Sequence, residues 1–142
     1  MHGVKAMVLV LAVVLAGTVT AAKAENGKLT VELNKFENDA SGGCRAFFLF
    51  RNQTGKTFEE FEMSLAILDA AGVIDRLLTI DAAPIPVART TLKLFEIPKI
   101  ECAAISEVLL HDIAACRPQN GEAMDCFPIL ELRSLTSASL VQ

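Results

Sequence analysis

Residues 61–67 read Phe-Glu-Met-Ser-Leu-Ala-Ile, with a large apolar residue at every second position. This period is typical of a β-strand with one buried side, because successive side chains of a strand point to opposite faces. Residues 69–72, Asp-Ala-Ala-Gly, follow as a turn signal, and residues 73–80 form a second apolar arm. The stretch from 61 to 80 is therefore predicted to be a β-hairpin.

Short apolar stretches bounded by turn residues recur on both sides of this hairpin. The predicted strands are 28–36, 44–51, 61–67, 73–80, 90–97, 103–114 and 127–135. Seven strands of this kind predict an all-β fold, an antiparallel immunoglobulin-like β-sandwich. A helix over 59–68 is an open alternative, because Glu, Met, Leu and Ala favour helices. Residues 25–142 are expected to form one domain, with 136–142 as a frayed polar tail.

Four cysteines, Cys44, Cys102, Cys116 and Cys126, all lie after residue 24. An even count in an exported chain predicts two disulfides, and the pairs lack the close spacing of zinc or redox motifs. Cys116 and Cys126 flank a turn-rich loop, so they are expected to face each other across the base of a hairpin. That pairing leaves Cys44 for Cys102. In the sandwich, Cys44 and Cys102 begin strands of opposite sheets at the same end, which makes the pairing geometrically consistent.

Three stretches around the hairpin carry a family resemblance. Residues 52–56 (Asn-Gln-Thr-Gly-Lys), the strand at 61–67 and the turn at 68–74 together resemble the bacterial FxLYD-type domain, over roughly residues 45–97. That family is a small immunoglobulin-like module of exported proteins, so the resemblance implies a β-sandwich and export. Leu68 stands where the family has its Tyr. The family shares no catalytic residues, so the resemblance implies no activity.

The first 24 residues differ in character from the rest. His2 and Lys5 precede an unbroken apolar run at 6–16, and Ala22-Lys23-Ala24 comes after it. This order is typical of a secretory signal peptide, with cleavage predicted after Ala24. The apolar run is shorter than the roughly 20 residues that cross a bilayer, so no membrane insertion is expected after cleavage; retention as an anchor is the alternative. The mature domain is predicted to be periplasmic or secreted.

Composition and the scarcity of His limit the function classes. The net charge of -4 lacks the basic footprint of a nucleic-acid-binding protein, so no nucleic-acid partner is expected. His111 is the single His after residue 24, and Asp112 beside it on a strand would point to the opposite face. No acid, base and nucleophile come together in the sequence. We therefore predict no enzymatic activity, no metal and no cofactor.

Alternation also predicts an outward apolar surface. If Cys44 points to the core, Phe47 and Leu49 point outward between two arginines. If Cys102 also points to the core, the same alternation along its strand predicts that Ile105, Leu109 and Ile113 point outward. The resulting candidate interaction face comprises Phe47, Leu49, Leu109 and His111. Coverage of these side chains by a loop, the tail or a bulge is the open alternative.

An exposed contiguous apolar patch marks an interface. The chain is therefore predicted to be an exported, non-enzymatic module that binds another envelope protein, or forms a homodimer, through a sheet face or an edge strand. The second hypothesis is a carrier that holds a small apolar ligand between the two sheets, since the chain has eight Phe and no Trp or Tyr.

Overall fold

The computed structural model describes residue 3 and residues 27–142, so the predicted leader over 1–24 lies almost entirely outside the described residues. This part of the chain forms eight strands: β1 Leu29–Asn38, β2 Cys44–Asn52, β3 Phe58–Asp69, β4 Ile74–Asp81, β5 Thr90–Ile97, β6 Ile105–Pro118, β7 Leu130–Ser134 and β8 Ser139–Val141. Short 3₁₀ turns at Cys102–Ala104 and Phe127–Ile129 precede β6 and β7. The helix considered over 59–68 is wrong, because those residues lie inside β3.

The strands form two four-stranded sheets that pack face to face. The first sheet has the order β5-β2-β1-β7, and the second has the order β4-β3-β6-β8. This confirms the predicted β-sandwich. Most neighbouring strands are antiparallel, but the predicted all-antiparallel pairing is wrong at two places, where β7 runs parallel to β1 and β8 runs parallel to β6. Both exceptions involve the last two strands of the chain, β7 and β8, which stand at the outer edges of their sheets.

One hydrophobic core fills the space between the sheets and takes side chains from all eight strands. Its centre is aromatic. Phe50 and Phe58 each meet Phe61 edge to face, with ring centroids 6.4 and 6.2 Å apart, and Phe48 lies 6.3 Å from Phe50. These four rings are 2% exposed or less. Aromatic rings at these separations and angles add favourable edge and stacking contacts to the burial of their surface.

The predicted turn at 69–72 closes the β3–β4 hairpin. The Asp69 Oδ1 atom accepts hydrogen bonds from the backbone N–H groups of Ala71 and Val73, at 2.9 and 3.0 Å. Gly72 adopts a φ of 76°, a left-handed conformation that a side chain would disfavour. The carboxylate therefore organises the turn, and the tight turn keeps β4 beside β3 in the second sheet.

The end of β2 is fixed by a buried amide. Asn52 is 1% exposed, and its Nδ2 group donates to the carbonyls of Lys56, Ile85 and Pro86. Its Oδ1 atom accepts from the N–H and the hydroxyl of Thr54. The turn predicted at residues 52–56 is thereby joined to the β4–β5 loop, and this contact holds the start of β5 beside the end of β2.

The expectation of a frayed tail over 136–142 is wrong. Residues 139–141 form β8 and pair with β6 through Val108–Leu140. Ala138 is 1% exposed and Leu140 is 8% exposed, and both belong to the core. The segment is held because Leu140 reaches the core next to Val108. The small and polar composition of residues 136–142 did not indicate that Leu140, together with Ala138, would pack between the sheets.

Both predicted disulfides are present, as Cys44–Cys102 and Cys116–Cys126. The first joins β2 of the first sheet to the 3₁₀ turn that leads into β6 of the second sheet. The second closes the loop between β6 and β7. Two disulfides fit an oxidising, exported location.

Candidate functional site

Strand β2 presents its alternate residues outward as the sequence predicted. Ala46, Phe48 and Phe50 are buried in the core, whereas Phe47 and Leu49 between them are only half-buried. Successive side chains of a strand leave opposite faces, so Phe47 and Leu49 stand on the outer face of the first sheet. The Nζ atom of Lys35 lies 5.3 Å from the centroid of the Phe47 ring and covers part of it.

The neighbouring edge strand β5 enlarges this apolar surface. Leu94 lies directly across from Phe47, and Leu92 lies across from Leu49. Leu92 is 58% exposed and Leu94 is 48% exposed. Directly opposed residues of paired strands share a face and touch. The four side chains Phe47, Leu49, Leu92 and Leu94 form one block, which we call the β2–β5 patch.

Sequence reasoning missed the two leucines of this patch. In Leu92-Lys93-Leu94-Phe95 the two leucines lie on one side of the strand, and Lys93 and Phe95 lie on the other. Both sides contain apolar residues, so the pattern does not indicate which side faces the core. The pairing with β2 decides it: Phe95 lies opposite buried Ala46, so it turns toward the core and Leu94 turns out. Register is a tertiary property, and a shift of one residue would exchange the two sets.

Ion pairs border the β2–β5 patch at one end. Arg45 donates to Glu37 at 3.3 Å and to Glu96 at 3.0 Å, and Lys35 donates to Glu37 at 2.9 Å. The hydrogen bond from Lys35, followed by its charge, lowers the pKa of Glu37. The carboxylate of Glu96, followed by that of Glu37, raises the pKa of Arg45 above its ordinary value.

A buried carboxylate borders the patch at the other end. Glu32 is directly across from Leu49 on β1 and is 2% exposed. It accepts a hydrogen bond from the Asn34 amide at 2.8 Å and lies 3.4 Å from Arg51 and 3.8 Å from Arg133. The Asn34 hydrogen bond lowers the pKa of Glu32, burial opposes the shift, and the charges of both arginines add to it.

Together these residues define the outer face of the first sheet. Four rows of directly opposed residues cross it: 90–51–30–131, 92–49–32–133, 94–47–35 and 96–45–37. The rows contain four carboxylates (Glu32, Glu37, Glu96, Glu131) and four cations (Lys35, Arg45, Arg51, Arg133). Three of these carboxylates form ion pairs on the face itself. We call this surface the ion-paired face.

The other two predicted interface residues lie on the opposite side of the molecule. Leu109 and His111 belong to β6 of the second sheet, so they are separated from Phe47 and Leu49 by the whole core. Leu109 is half-buried and His111 is exposed. The predicted four-residue face is therefore not one surface, and the structure divides it into two.

Two further side chains predicted to face outward lie inside. Ile105 is 2% exposed, and Ile113 packs against the core. Counting from Cys102 failed because residues 102–104 form a 3₁₀ turn, which does not preserve the alternation of a strand. Register shifts between β3 and β6, including one beside Met63 and Ile113, change the alternation again farther along.

The described residues hold no group of three or more His, Cys, Asp or Glu side chains arranged to bind a metal ion. His111 and Asp112 are both exposed, on a part of β6 where the pairing with β3 shifts register. No helix among residues 27–142 has the length and apolar character required to cross a membrane.

Comparison with known proteins gives one structural neighbour and no family. The structure of IrmA from Escherichia coli superposes with a TM-score of 0.57, over 74% of this chain and 90% of that chain, at 13% sequence identity. At this identity the likeness is one of fold, and it supports the sandwich architecture described above. No family model and no curated protein matches the chain.

Proposed function

We propose that this chain is an exported, non-enzymatic module that binds another protein of the bacterial envelope through the β2–β5 patch. The observation that carries the proposal is the alignment of Phe47, Leu49, Leu92 and Leu94 in one exposed block. Exposed apolar surface is costly in water, and a contiguous block of it is characteristic of an interaction site.

The position of the patch favours a protein partner. Within the described residues β5 pairs only with β2, so its other side is the edge of the first sheet. An extended partner segment can add to such an edge by backbone hydrogen bonds while its side chains cover the adjacent apolar surface. Leu92 and Leu94 stand on that edge strand and would be covered first.

The charges around the patch indicate what kind of contact it makes. The ion-paired face carries equal numbers of carboxylates and cations, most of them within reach of each other. A balanced surface gives little long-range attraction for charged partners. Binding at the patch should therefore be mainly apolar and should vary little with salt concentration.

Export rests on the leader predicted over residues 1–24 and on the two disulfides. A periplasmic or secreted location would suit the proposed binding module, whose disulfides stabilise the sandwich. The FxLYD-type resemblance agrees with this role and stays a prediction.

The second hypothesis, an apolar carrier, requires room between the sheets. That space is occupied by Phe48, Phe50, Phe58 and Phe61, whose rings contact one another in the centre of the core. One open cleft of the described surface lies outside the core instead, where Gln53, Ala88 and Arg89 line it together with the end of β2 and the start of β5. The packing therefore favours the interaction module over the carrier.

The proposal is tested with Leu92→Ser/Leu94→Ser, and Leu135→Ser, just after β7 at the other edge of the first sheet, serves as the matched control. All three leucines are about half exposed or more, so the substitutions should leave the core intact. Each tagged protein is cross-linked in native envelopes and recovered, and its mass is followed by sedimentation over a range of concentrations. We expect a specific partner that Leu135→Ser retains and Leu92→Ser/Leu94→Ser loses.

The sedimentation arm identifies the homodimer as the alternative partner. A concentration-dependent dimer that only Leu92→Ser/Leu94→Ser abolishes would make the partner a second copy of the chain. If the protein stays monomeric, and the variant and the control recover the same proteins in the same amounts, the patch is not a binding site.

A further inference from the structure

The outer face of the second sheet carries a second apolar surface. The strand registers align Leu77, Ala66, Leu109 and Val141 in one row that crosses all four strands. Leu77 is 63% exposed, and Leu109 and Val141 are half-buried. At about 4.8 Å between strands, the row is about 14 Å long.

The burial of Ala66 shows that this row is a packed surface. Ala66 is 2% exposed, yet it is not part of the core cluster, unlike its neighbours Leu65 and Ile67. It is directly opposed by Leu77 on one side and by Leu109 on the other. The two longer side chains therefore flank and cover the small one, which leaves a continuous apolar strip on the outside of the sheet.

Unpaired carboxylates stand next to this strip. The row beside it is Thr79–Ser64–Asp112, and the next row is Asp81–Glu62–Ala115. Rows on one face of a strand lie about 7 Å apart, so these carboxylates lie roughly 7 and 14 Å from the strip. On the other side of the strip, the row Ile74–Leu68–Glu107–Ser139 adds one more carboxylate, that of Glu107. We call the surface of these four rows the acidic face.

The acidic face has no charge balance of its own. Its four rows contain four carboxylates, Glu62, Asp81, Glu107 and Asp112, and neither Lys nor Arg. Arg117 stands in the adjoining row opposite Glu60, and it forms ion pairs with Glu59 and Glu60 rather than with these four. None of the four forms a salt bridge with any residue among 27–142. Glu62 lies directly across from Asp81, and directly opposed like charges destabilise a sheet. Asp81 does accept a hydrogen bond from the Ala83 N–H at 2.9 Å. No ion pair with a residue among 27–142 neutralises the four charges, so the negative charge is available to a partner.

We infer that the acidic face binds a cationic, amphipathic segment of a partner protein. Its apolar side chains lie on Leu77, Leu109 and Val141, and its Lys or Arg side chains reach Glu62, Asp81 and Asp112. A second copy of the chain does not fit, because two acidic faces repel each other. An anionic lipid surface is excluded by the same sign of charge. This site is on the opposite side of the sandwich from the β2–β5 patch and is independent of it.

The test uses two synthetic peptides that share the same amphipathic spacing of Leu. In one peptide the polar positions are Lys, and in the other they are Gln. Binding of each labelled peptide to the purified protein is measured by fluorescence anisotropy at low and high salt. We expect the Leu/Lys peptide to bind, the Leu/Gln peptide to bind much more weakly, and the affinity for the Leu/Lys peptide to fall as salt screens the charges.

Variants assign the binding to the acidic face. Glu62→Gln/Asp81→Asn removes two carboxylates and should lower the affinity for the Leu/Lys peptide by about fivefold. Leu77→Ser should lower it for both peptides. The matched controls lie outside both the acidic face and the β2–β5 patch: Glu131→Gln is an exposed carboxylate and Leu135→Ser an exposed leucine, and both should bind like the original protein.

Three results would overturn the inference. The first is equal binding of the Leu/Lys and Leu/Gln peptides, which would remove the role of charge. The second is an affinity unchanged in Glu62→Gln/Asp81→Asn while circular dichroism shows a folded variant. The third is a loss of affinity for the Leu/Lys peptide in Glu131→Gln as large as the loss in Glu62→Gln/Asp81→Asn. Such a result would indicate that the peptide is attracted to negative charge anywhere on the protein.

Discussion

The two outer faces of this sandwich are built alike and charged differently. Each has four rows of opposed residues, an apolar block and four carboxylates. On the ion-paired face four cations accompany the carboxylates, and Glu32 is buried among Asn34, Arg51 and Arg133. On the acidic face the rows hold no cation. The first arrangement pairs most of its charges within the fold, whereas the four carboxylates of the second form no ion pair with a residue among 27–142.

This difference predicts that the charges of the two faces affect the free energy of unfolding in opposite directions. A carboxylate that gains hydrogen bonds and cations on folding stabilises the folded state, so the charges of the ion-paired face should contribute to the free energy of unfolding. Carboxylates that face one another, as Glu62 and Asp81 do, subtract from it. The comparison therefore predicts opposite effects of the same chemical change, Glu to Gln, on the two faces.

The largest effect should come from the disulfide that joins the two sheets. Cys44–Cys102 closes a separation of 58 residues, and Cys116–Cys126 closes one of 10. In the chain-entropy account the first contributes about 4 kcal/mol to the free energy of unfolding and the second about 3 kcal/mol. Urea unfolding of Cys44→Ala/Cys102→Ala and Cys116→Ala/Cys126→Ala, without reductant, measures both losses.

The same unfolding curves show whether the two faces form one cooperative unit. Without the Cys44–Cys102 bond, fluorescent probes attached to either face should still report a single transition, because the aromatic core joins the sheets. Two separate transitions, or a greater loss from the shorter loop, would contradict this view of the sandwich.

The next effect is expected at Glu32 and depends on pH. The pKa of Glu32 is lowered in the folded chain. Such a carboxyl stabilises the fold above the pKa of the unfolded chain, about 4.3 for Glu, and this contribution is lost as pH falls through the lower folded value. Glu32→Gln should therefore reduce the free energy of unfolding at neutral pH by about 1–2 kcal/mol, and the difference should shrink in acid.

Urea unfolding at neutral and acidic pH, for the original chain and Glu32→Gln, measures this change. Glu131→Gln is the control, because Glu131 is an exposed carboxylate of the same face without an ion pair to a residue among 27–142. A loss in Glu32→Gln that is the same at both pH values would show that the carboxylate charge is not what stabilises the face.

The smallest effect should have the opposite sign. Glu62→Gln on the acidic face removes the repulsion across the strand pair with Asp81, so it should raise the free energy of unfolding by about 0.5 kcal/mol at neutral pH. Added salt should reduce the gain, because it screens the same repulsion in the original chain. Destabilisation by Glu62→Gln would mean that Glu62 makes a favourable contact, and the contrast between the two faces would fail.

Much of the architecture could be predicted from local pattern. The alternation at 61–67 and the turn at 69–72 identified the hairpin, since both are encoded in neighbouring residues. The disulfide pairing followed from the turn-rich loop between Cys116 and Cys126, which left Cys44 for Cys102, and the predicted strand order was consistent with it. The prediction of strand β6 over 103–114 was less accurate. The strand extends to Pro118 and contains Cys116, and its register shifts changed which side chains face inward.

The candidate surfaces were predicted only in part. Phe47 and Leu49 could be placed outward by counting from a buried cysteine, whereas Leu92 and Leu94 could not, because both sides of β5 are apolar. Leu109 and His111 were grouped with Phe47 although the predicted sandwich itself places their strands in opposite sheets, so the grouping was inconsistent with the predicted fold, and the structure separates them. The structure gives Leu109 different neighbours, Leu77, Ala66 and Val141.

The sequence by itself determined the all-β class, the turns and the disulfide pairs, because these depend on residue type and on spacing along the chain. Tertiary structure decided the rest. Strand order placed β5 beside β2 and β8 beside β6, and register aligned four basic side chains with the carboxylates of the ion-paired face but none with those in the four rows of the acidic face. Whether a charge is satisfied depends on its neighbours across the strands, and those neighbours are distant in sequence.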